Sequence, residues 1–573
     1  MRNRFFLITA AVLTLFSGMY GFSQYYTALG QDYSALDLFY GTLQLFPLNA
    51  SFEVGLVPPL LQLARLLAPA LTGYAIFLAA LALSRRQALL FLASNHVVIC
   101  GLSALSKTMA TEYMRLGKKV VAVIPSESGT AQDFCSANGI ALVKGDASLP
   151  SVLFRAGVAR AERCLIASGD DIQNLAILSS VAESVANRAV DSPLHCAILL
   201  TSLHGYTAYF AVSAQMYEGL EVSILDLDMS LAYTVLDRFP LDRVPLRPND
   251  CRQAQLIIVG NSSAAEALLL VAANIGHFAN GLLPRISVFD ALPEEIQRFY
   301  ATYPFASHAA DIEFIDSCFE SPAGQAAFSA LCLDARYINT VVFCDQSLST
   351  SLRQALSTPP ALRLSDIPMV LCLGDGIQGY GLEKLLESLA ANLDIHTVGM
   401  AVPNIVMDTP TYKLAKLLHE QYRSSYIAKN SSADSPAILP WERLDIRFKQ
   451  SSLFQAAHIA AKARAIGCRI PPPDQVPLLE AQMAEATLSD AEVEMLARME
   501  HARWVAERSL AGWSLGKRDN ARLLHPDLVP YDELPEATKE FDRDFARMLP
   551  SHARLLGSVL LRPTENETDT VAL

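Results

Sequence analysis

Charge is scarce in this chain. Only 18% of its 573 residues are Asp, Glu, Lys or Arg, against 51% apolar residues. With a mean hydropathy of +0.26, long disorder is excluded, because disordered segments are charged and poor in apolar side chains. The basic sign is the scarcer one: 45 Lys and Arg against 58 Asp and Glu give a formal charge of −13. Such a chain lacks the basic face that neutralising a phosphate backbone demands, so nucleic acid is not expected as a partner. Local basic pockets for a nucleotide stay open. Ten cysteines occur without a C-x-x-C pair or a zinc-ligand spacing. They read as core thiols, and no metal is expected. At ~150 residues per domain, the length implies three to four domains.

Charge is absent altogether from two N-terminal runs, Phe5–Gly21 and Leu66–Leu83. Each approaches the ~20 residues needed to cross a bilayer. Arg2 and Arg4 precede the first and Arg85 and Arg86 follow the second, which orients both ends toward the cytoplasm. The first run also fits the start of a signal peptide, but no small-x-small cleavage site follows Gly18. Membrane lipid is therefore an expected partner. The intervening Tyr33–Leu48 is too apolar for a solvated loop and predicts a short helix dipping back toward the membrane. Span, short helix and span together resemble a two-helix potassium-channel pore. Potassium filters use a T-V-G-Y-G backbone, whereas here Thr42, Gln44 and Phe46 stand in a glycine-free stretch, with Asn49 beyond it. Two readings stay open: a degenerate pore lined by these four residues, or an anchor with a hydrophobic cap.

From His96 onward the pattern changes. Short apolar runs at His96–Gly101, Lys119–Ile124, Ile140–Val143, Arg163–Ala167, Cys196–Leu200 and Val222–Leu225 alternate with helical stretches. That alternation predicts an α/β fold with a doubly wound parallel sheet. The cycle restarts about 160 residues later at Gln255–Gly260 and continues through Arg285–Phe289, Ile312–Ile315, Thr340–Phe343, Met369–Leu373 and Ile395–Met400. Two tandem Rossmann-like domains follow from the duplication. In the first, Gly145-Asp146-Ala147, Ala156-Gly157-Val158, Ser168-Gly169-Asp170-Asp171 and Asn174 resemble the RCK domain, the regulator of potassium conductance.

A dinucleotide site needs glycines, so that backbone amides can approach a pyrophosphate, and an acid for the ribose. The first half offers Gly101 and Ser103, with Pro125-Ser126 and a shifted Glu127 where the acid belongs; Asp146 and Asp170 are the other nearby carboxylates. The second half offers Gly260 and Asp290. These are weak cofactor-binding signals for NAD or another regulatory nucleotide. No acid–base pair for hydride transfer accompanies them, so an enzyme is not expected. Degenerate scaffolds serving assembly and transmission are the alternative.

Lys429–Pro436 is small and polar, a boundary. Trp441–Gly467 reads helical, with Leu453, Phe454, Ala457, Ile459 and Ala460 as its core face and Pro471-Pro472-Pro473 as its stop. Ser489 and Glu492 form a capping box at the next helix start. That helix carries Glu500-His501-Ala502-Arg503-Trp504-Val505-Ala506-Glu507-Arg508, followed by Trp513, Arg518 and His525-Pro526-Asp527-Leu528-Val529-Pro530-Tyr531. This order resembles the RyR domain named from ryanodine receptors and found in bacterial proteins. The resemblance implies sensing of a nucleotide-derived signal. Glu500, Arg503, Trp504 and Glu507 share a helix face, and an aromatic plate beside guanidinium groups can stack a base and clamp a phosphate. Glu500, Arg503, Trp504, Arg508, Trp513, Arg518 and Tyr531 are the expected ligand residues; the competing reading is a small helical core.

The expected organisation is a membrane hairpin (1–94), an RCK-like domain (95–245), a second Rossmann-like domain (246–430) and a helical linker with an RyR-like domain (431–573). The resemblances imply a bacterial cell-membrane protein, two-pass and cytoplasmic at its C-terminal part. They also imply a homo-oligomer, a dimer or a tetramer, because a two-helix pore closes with about four subunits.

Overall fold

The computed structural model describes residues 2–49, 52, 57–91, 95–125, 129–188, 192–200, 219–363, 365–373, 394–399, 410–429, 435–441, 444–479 and 483–563, with single positions at 384, 386 and 388. Ser126, Glu127, Met400 and residues 430–434 of the expected boundary lie outside them, as do the side chains of 2–8 and 78–91. The chain divides into two compact units, residues 1–94 with 155–157, and residues 95–154 with 158–573.

The first unit holds the helices Arg2–Ala28, Ala35–Gln44 and Pro59–Phe91. The short middle helix is the one the apolar loop predicts; Ser34 and Asp37 cap it reciprocally. The long helices pack through small residues: a Cβ at Gly21 would sit 2.7 Å from the Leu61 backbone nitrogen. Phe22, Tyr25, Leu45, Leu61, Ala64 and Ala68 make the core. Outward-facing Leu13, Phe16, Leu66 and Ile76 are exposed. Among the described residues one helical segment, Pro59–Phe77, is long and apolar enough to cross a membrane. The first expected span starts within side chains that lie outside the described set.

Thr42, expected to line a pore, is fully buried, and a Cβ at Gly18 would collide with it. Its hydroxyl donates to the Leu38 carbonyl at 2.7 Å. Within this hairpin Thr42 is therefore a helix-packing residue. Gln44 and Phe46 are half-buried and Asn49 is exposed.

The second unit carries two six-stranded parallel sheets. Strands β1 (Val97–Cys100), β2 (Val120–Ile124), β3 (Ala141–Lys144), β4 (Arg163–Ile166), β5 (Leu194–Leu199) and β6 (Leu220–Leu225) order as β3-β2-β1-β4-β5-β6. Strands β7 (Gln253–Val259), β8 (Arg285–Phe289), β9 (Asp311–Phe314), β10 (Tyr337–Phe343), β11 (Met369–Leu373) and β12 (His396–Gly399) repeat that order as β9-β8-β7-β10-β11-β12. The inner strands are continuous apolar runs because helices cover both faces. The expected tandem doubly wound fold is thus present, with strand ends displaced by a few residues.

At each β-strand-to-helix turn one glycine is indispensable. Gly101 has φ +90° and Gly260 has φ +124°. A Cβ at Gly260 would lie 2.5 Å from the Cys344 carbonyl oxygen, and one at Gly101 would lie 2.6 Å from that of Ala167. Strain and clash act together, so Gly260→Ala is expected to destabilise the second sheet by about 2–4 kcal/mol. Chemical denaturation of the full chain measures it; a loss under ~0.5 kcal/mol contradicts the reading.

The C-terminal part is mainly helical: Pro410–Lys429, Ile446–Ala457, Ile459–Ala465, Asp490–Leu510, Glu536–Arg547 and Leu549–Leu555. Strands β13 (Met483–Glu485), β14 (Ser514–Leu515), β15 (Leu524–His525) and β16 (Leu561–Pro563) form two small ladders, β13–β16 and β14–β15. Trp441 does not start a helix as expected. It is fully buried in a short turn, its indole donating to the Tyr412 hydroxyl at 3.0 Å. Asp445 caps the helix that follows, and His458 interrupts it. Of the expected core face only Ile459 is buried. Leu453, Ala457 and Ala460 border a cavity, and Phe454 rests against Tyr233. A single apolar core joins the second sheet to Ala461, Ala506 and Leu510 of these helices.

Candidate functional site

The Asp490–Leu510 helix begins as expected. The Ser489 backbone N–H donates to Glu492 at 2.8 Å, and Glu492 N–H returns the bond to Ser489 Oγ at 3.4 Å. The residues expected at one ligand site then part onto three surfaces.

Glu500 and Arg503 face inward. Lys462 Nζ donates to Glu500 Oε2 at 2.6 Å, Arg503 donates to Glu500 Oε1 at 2.9 Å and to Glu507 Oε2 at 2.6 Å. Gln455 completes Glu500 at 3.0 Å. The four charged side chains are buried, so Glu500 and Arg503 are not ligand residues as expected; their charges are consumed in the interior. Burial alone would raise the Glu500 pKa, but Arg503 and Lys462 hold it far below the carboxylate range. Burial likewise lowers Lys462, with Glu500 opposing. His458 extends the network. Its Nδ1 accepts from Lys462 at 3.1 Å, and its Nε2–H donates to the His277 carbonyl at 2.8 Å.

Burial pushes the pKa of His277 and His552 down to about 4. Both ring nitrogens of His552 are buried, with no hydrogen-bond partner among the described residues. A histidine lowered on folding contributes stability above its unfolded pKa near 6.5 that is lost as pH falls toward 4. Unfolding free energy is therefore expected to drop between those values. His552→Leu should flatten part of that drop, as read from denaturant midpoints at pH 7 and pH 4.5. An unchanged slope would contradict this.

Tyr531 is separated from Trp504 by His501, whose ring stacks on Trp504 at 5.7 Å. It is buried against His501, with ring centroids 5.9 Å apart, and under the Arg498 guanidinium at 4.9 Å. Its hydroxyl donates to Glu494 at 3.3 Å, and burial pushes its pKa up to about 12. Tyr531 anchors the loop after β15 to the helix, with its hydroxyl held by Glu494.

Trp504, Arg508 and Trp513 do come together. The helix ends at Ala511, and Gly512 has φ +82°. Gly512 N–H donates to the Ser509 carbonyl at 3.0 Å and Trp513 N–H to that of Arg508 at 2.9 Å. This is the Schellman pattern, and it folds Trp513 back over the last turn. The Arg508 guanidinium then lies 5.5 Å from the Trp513 ring centroid and 5.8 Å from that of Trp504. Among the described residues the buried Nε of Arg508 has no hydrogen-bond partner. β15 brings His525 edge-on to Trp504 at 5.0 Å. Burial lowers the His525 pKa; Arg518 and Arg508 lower it further, against Asp527. Arg518 is exposed at the rim, and its charge and that of Arg508 also reach Tyr422. His525 and Tyr422 were not among the expected ligand residues. The aromatic spacing could have flagged His525, but nothing local marks Tyr422, which arrives from a helix some 80 residues upstream.

The turns of the two sheets are self-contained. Ser103 Oγ accepts from the Ser106 backbone at 3.2 Å. Asp146 Oδ1 accepts from Ser148 N at 2.8 Å, and Asp170 Oδ1 from Gln173 N at 2.8 Å. In the second sheet Asp290 accepts from Phe319 N at 2.8 Å and from Gln354 at 2.9 Å, one bond on each oxygen. Asp290 thus pins two loops together through both of its oxygens. In the first cleft Gly101 allows close backbone approach, but Asp146 and Asp170 are turned into their own loops.

Residues 97–192 match the TrkA-N domain family, and residues 479–557 match the RyR domain family. An uncharacterised protein of Methanothermus fervidus is 32% identical over 89 residues, 16% of this chain and 14% of its own length. The match thus spans about one-seventh of that relative. Among solved structures, GsuK bound to ADP is 14% identical over 69% of this chain and 93% of its own, with a TM-score of 0.36. The GsuK channel bound to NAD is 14% identical over 74% of this chain and 84% of its own, with a TM-score of 0.36.

Proposed function

We propose that this chain is a ligand-responsive membrane protein in which the RyR-like module senses a nucleotide-like signal. One observation carries the reading: a guanidinium held between two indole rings, with an unsatisfied buried N–H and a second arginine at the rim. Aromatic faces stack a base, and guanidinium groups bind phosphate in a fork. The buried Lys462–Glu500–Arg503–Glu507 network supports transmission, since it ties the sensing helix to the helices packed on the second sheet. Sensing rather than catalysis is the role, and the Rossmann-like domains serve assembly into a homo-oligomer. The output is a degenerate two-helix ion pore spanning the cell membrane twice, with the sheets and the module in the cytoplasm. Ligand must favour one state to act; a ~10⁴-fold preference corresponds to about 5.5 kcal/mol.

Burial of Thr42 against Gly18 favours a second reading, a non-conducting anchored sensor or scaffold. Conductance of the full-length protein in planar bilayers, with and without a nucleotide panel, separates the two. Ligand-dependent current supports the pore, and its reversal potential reports the ion. Silence from folded, oligomeric protein that still binds ligand overturns the pore and leaves the anchored sensor.

A further inference from the structure

The Pro59–Phe77 segment is apolar enough to cross a membrane, yet it holds Arg65. Arg65 is exposed, and it is the one basic side chain described in the hairpin. No Asp or Glu stands in that segment to neutralise it. At ~1.5 Å per residue it lies about 9 Å along the helix from Pro59. A charge within an apolar span is costly in lipid, and such residues face a bundle interior or a water-filled cavity.

The guanidinium is held in place. It lies 5.2 Å from the Phe52 ring centroid. Phe52 packs in turn on Phe22 and Tyr25, each with ring centroids 5.7 Å away. The contact takes one face of the guanidinium and leaves N–H donors for another group. Asp37, the acid of the short helix, is bound to its own N-cap at Ser34 rather than to Arg65.

Arg65 does not stand alone on its face. Leu61, Ala64 and Ala68 are buried in the seam with the first helix. Beside that seam Gln62, Arg65, Pro69 and Thr72 follow at steps of three and four residues, so they share one face. Gln62 is exposed and Thr72 half-buried, its hydroxyl donating to the Ala68 carbonyl at 3.1 Å. Pro69 has no N–H to give the Arg65 carbonyl four positions back. The other flank carries exposed Leu60, Leu63 and Leu67. One exposed face of this helix thus suits lipid, and the other needs water.

We propose that the face of Gln62, Arg65, Pro69 and Thr72 lines the water-filled path of the pore, and that Arg65 makes the pore select anions. The proposal rests on the pore reading of the proposed function and names its permeant class. In a homo-oligomer each copy adds one guanidinium. A ring of them draws in a small anion such as chloride and repels potassium.

The test labels full-length protein in proteoliposomes with two thiol reagents, the anionic sulfonatoethyl and the cationic trimethylammonioethyl methanethiosulfonate. Each rate is divided by that with free mercaptoethanol, and labelling of the native cysteines is subtracted. Thr72→Cys, beyond Arg65 from the Pro59 end, is expected to react, with the anionic reagent favoured about tenfold or more. Leu67→Cys, on the lipid face, should stay silent. Arg65→Gln should erase the preference, and Arg65→Lys should keep it. A silent Thr72→Cys, equal labelling at the two positions, or a preference that survives Arg65→Gln overturns the proposal. Should Arg65→Gln fail to fold, the reagent ratio at Thr72→Cys decides alone. Bilayer current under a KCl gradient, with the nucleotide panel present, separates this inference from the reading beneath it. Reversal near the chloride equilibrium potential is expected. Reversal near that of potassium overturns anion selection alone, whereas silence from folded protein overturns the pore and selection with it.

Discussion

Glu500→Ala is expected to cost about 3–5 kcal/mol and to melt the C-terminal helices first, because it strands two cations in the interior. Lys462 and Arg503 both donate to this one carboxylate, and all three side chains are buried. Arg503 keeps Glu507, at 2.6 Å, but among the described residues Lys462 keeps a hydrogen bond to His458 and the face of Phe545, neither of them an anion. Charge balance then predicts a rescue. Lys462→Met combined with Glu500→Met removes one charge of each sign and leaves the Arg503–Glu507 pair intact. The double variant should be more stable than Glu500→Ala despite altering two sites. A double-mutant cycle by chemical denaturation gives the coupling. Losses that simply add would show that the network holds no interaction energy. Acid offers a second check. A carboxylate lowered on folding contributes stability above its unfolded pKa and loses it only as pH falls through the depressed folded value. Glu500 therefore stays ionised while the buried histidines are already destabilising the fold.

The second large effect belongs to the tryptophan site. Trp504→Ala and Arg508→Ala should each weaken nucleotide binding about tenfold or more, and the pair should abolish the response while assembly remains intact. Arg508→Lys should resemble Arg508→Ala, because an ammonium loses the planar stacking that two indole faces require. Tyr531→Phe is the control. The change removes only a hydroxyl that bonds Glu494 and keeps the ring against His501, so ligand affinity should not move. Binding is read from tryptophan fluorescence, to which the buried Trp441 adds a constant background. Wild-type affinity in the Trp504→Ala/Arg508→Ala protein would remove the RyR-like module from consideration as the sensor.

The repeat of apolar runs made both sheets legible strand by strand, because a strand covered on both faces leaves an unbroken hydrophobic signature. The helix cap at Ser489 was equally readable, since its chemistry is local. The ligand residues were readable only in part. Helical spacing put Glu500, Arg503 and Trp504 on one face, yet spacing cannot say what an element from elsewhere brings to that face. Lys462 supplies the cation that draws Glu500 inward, 38 positions away in sequence. The place of Tyr531 was unreadable for the same reason: its loop seats it against His501, one ring away from Trp504. In the linker, periodicity marked Leu453, Ala457 and Ala460 as core, and their face meets open space instead.

Ala506 and Leu510 of the Asp490–Leu510 helix lie within the same core as β7 and the Ser263–Ile275 helix. Cutting the chain near residue 430 to obtain a free-standing sensor would therefore expose apolar surface on both fragments. The two pieces should be insoluble apart and recover on co-expression. For the living cell the same seam has a cost in inheritance: this sensor cannot be shuffled onto another partner by recombination unless the second sheet travels with it.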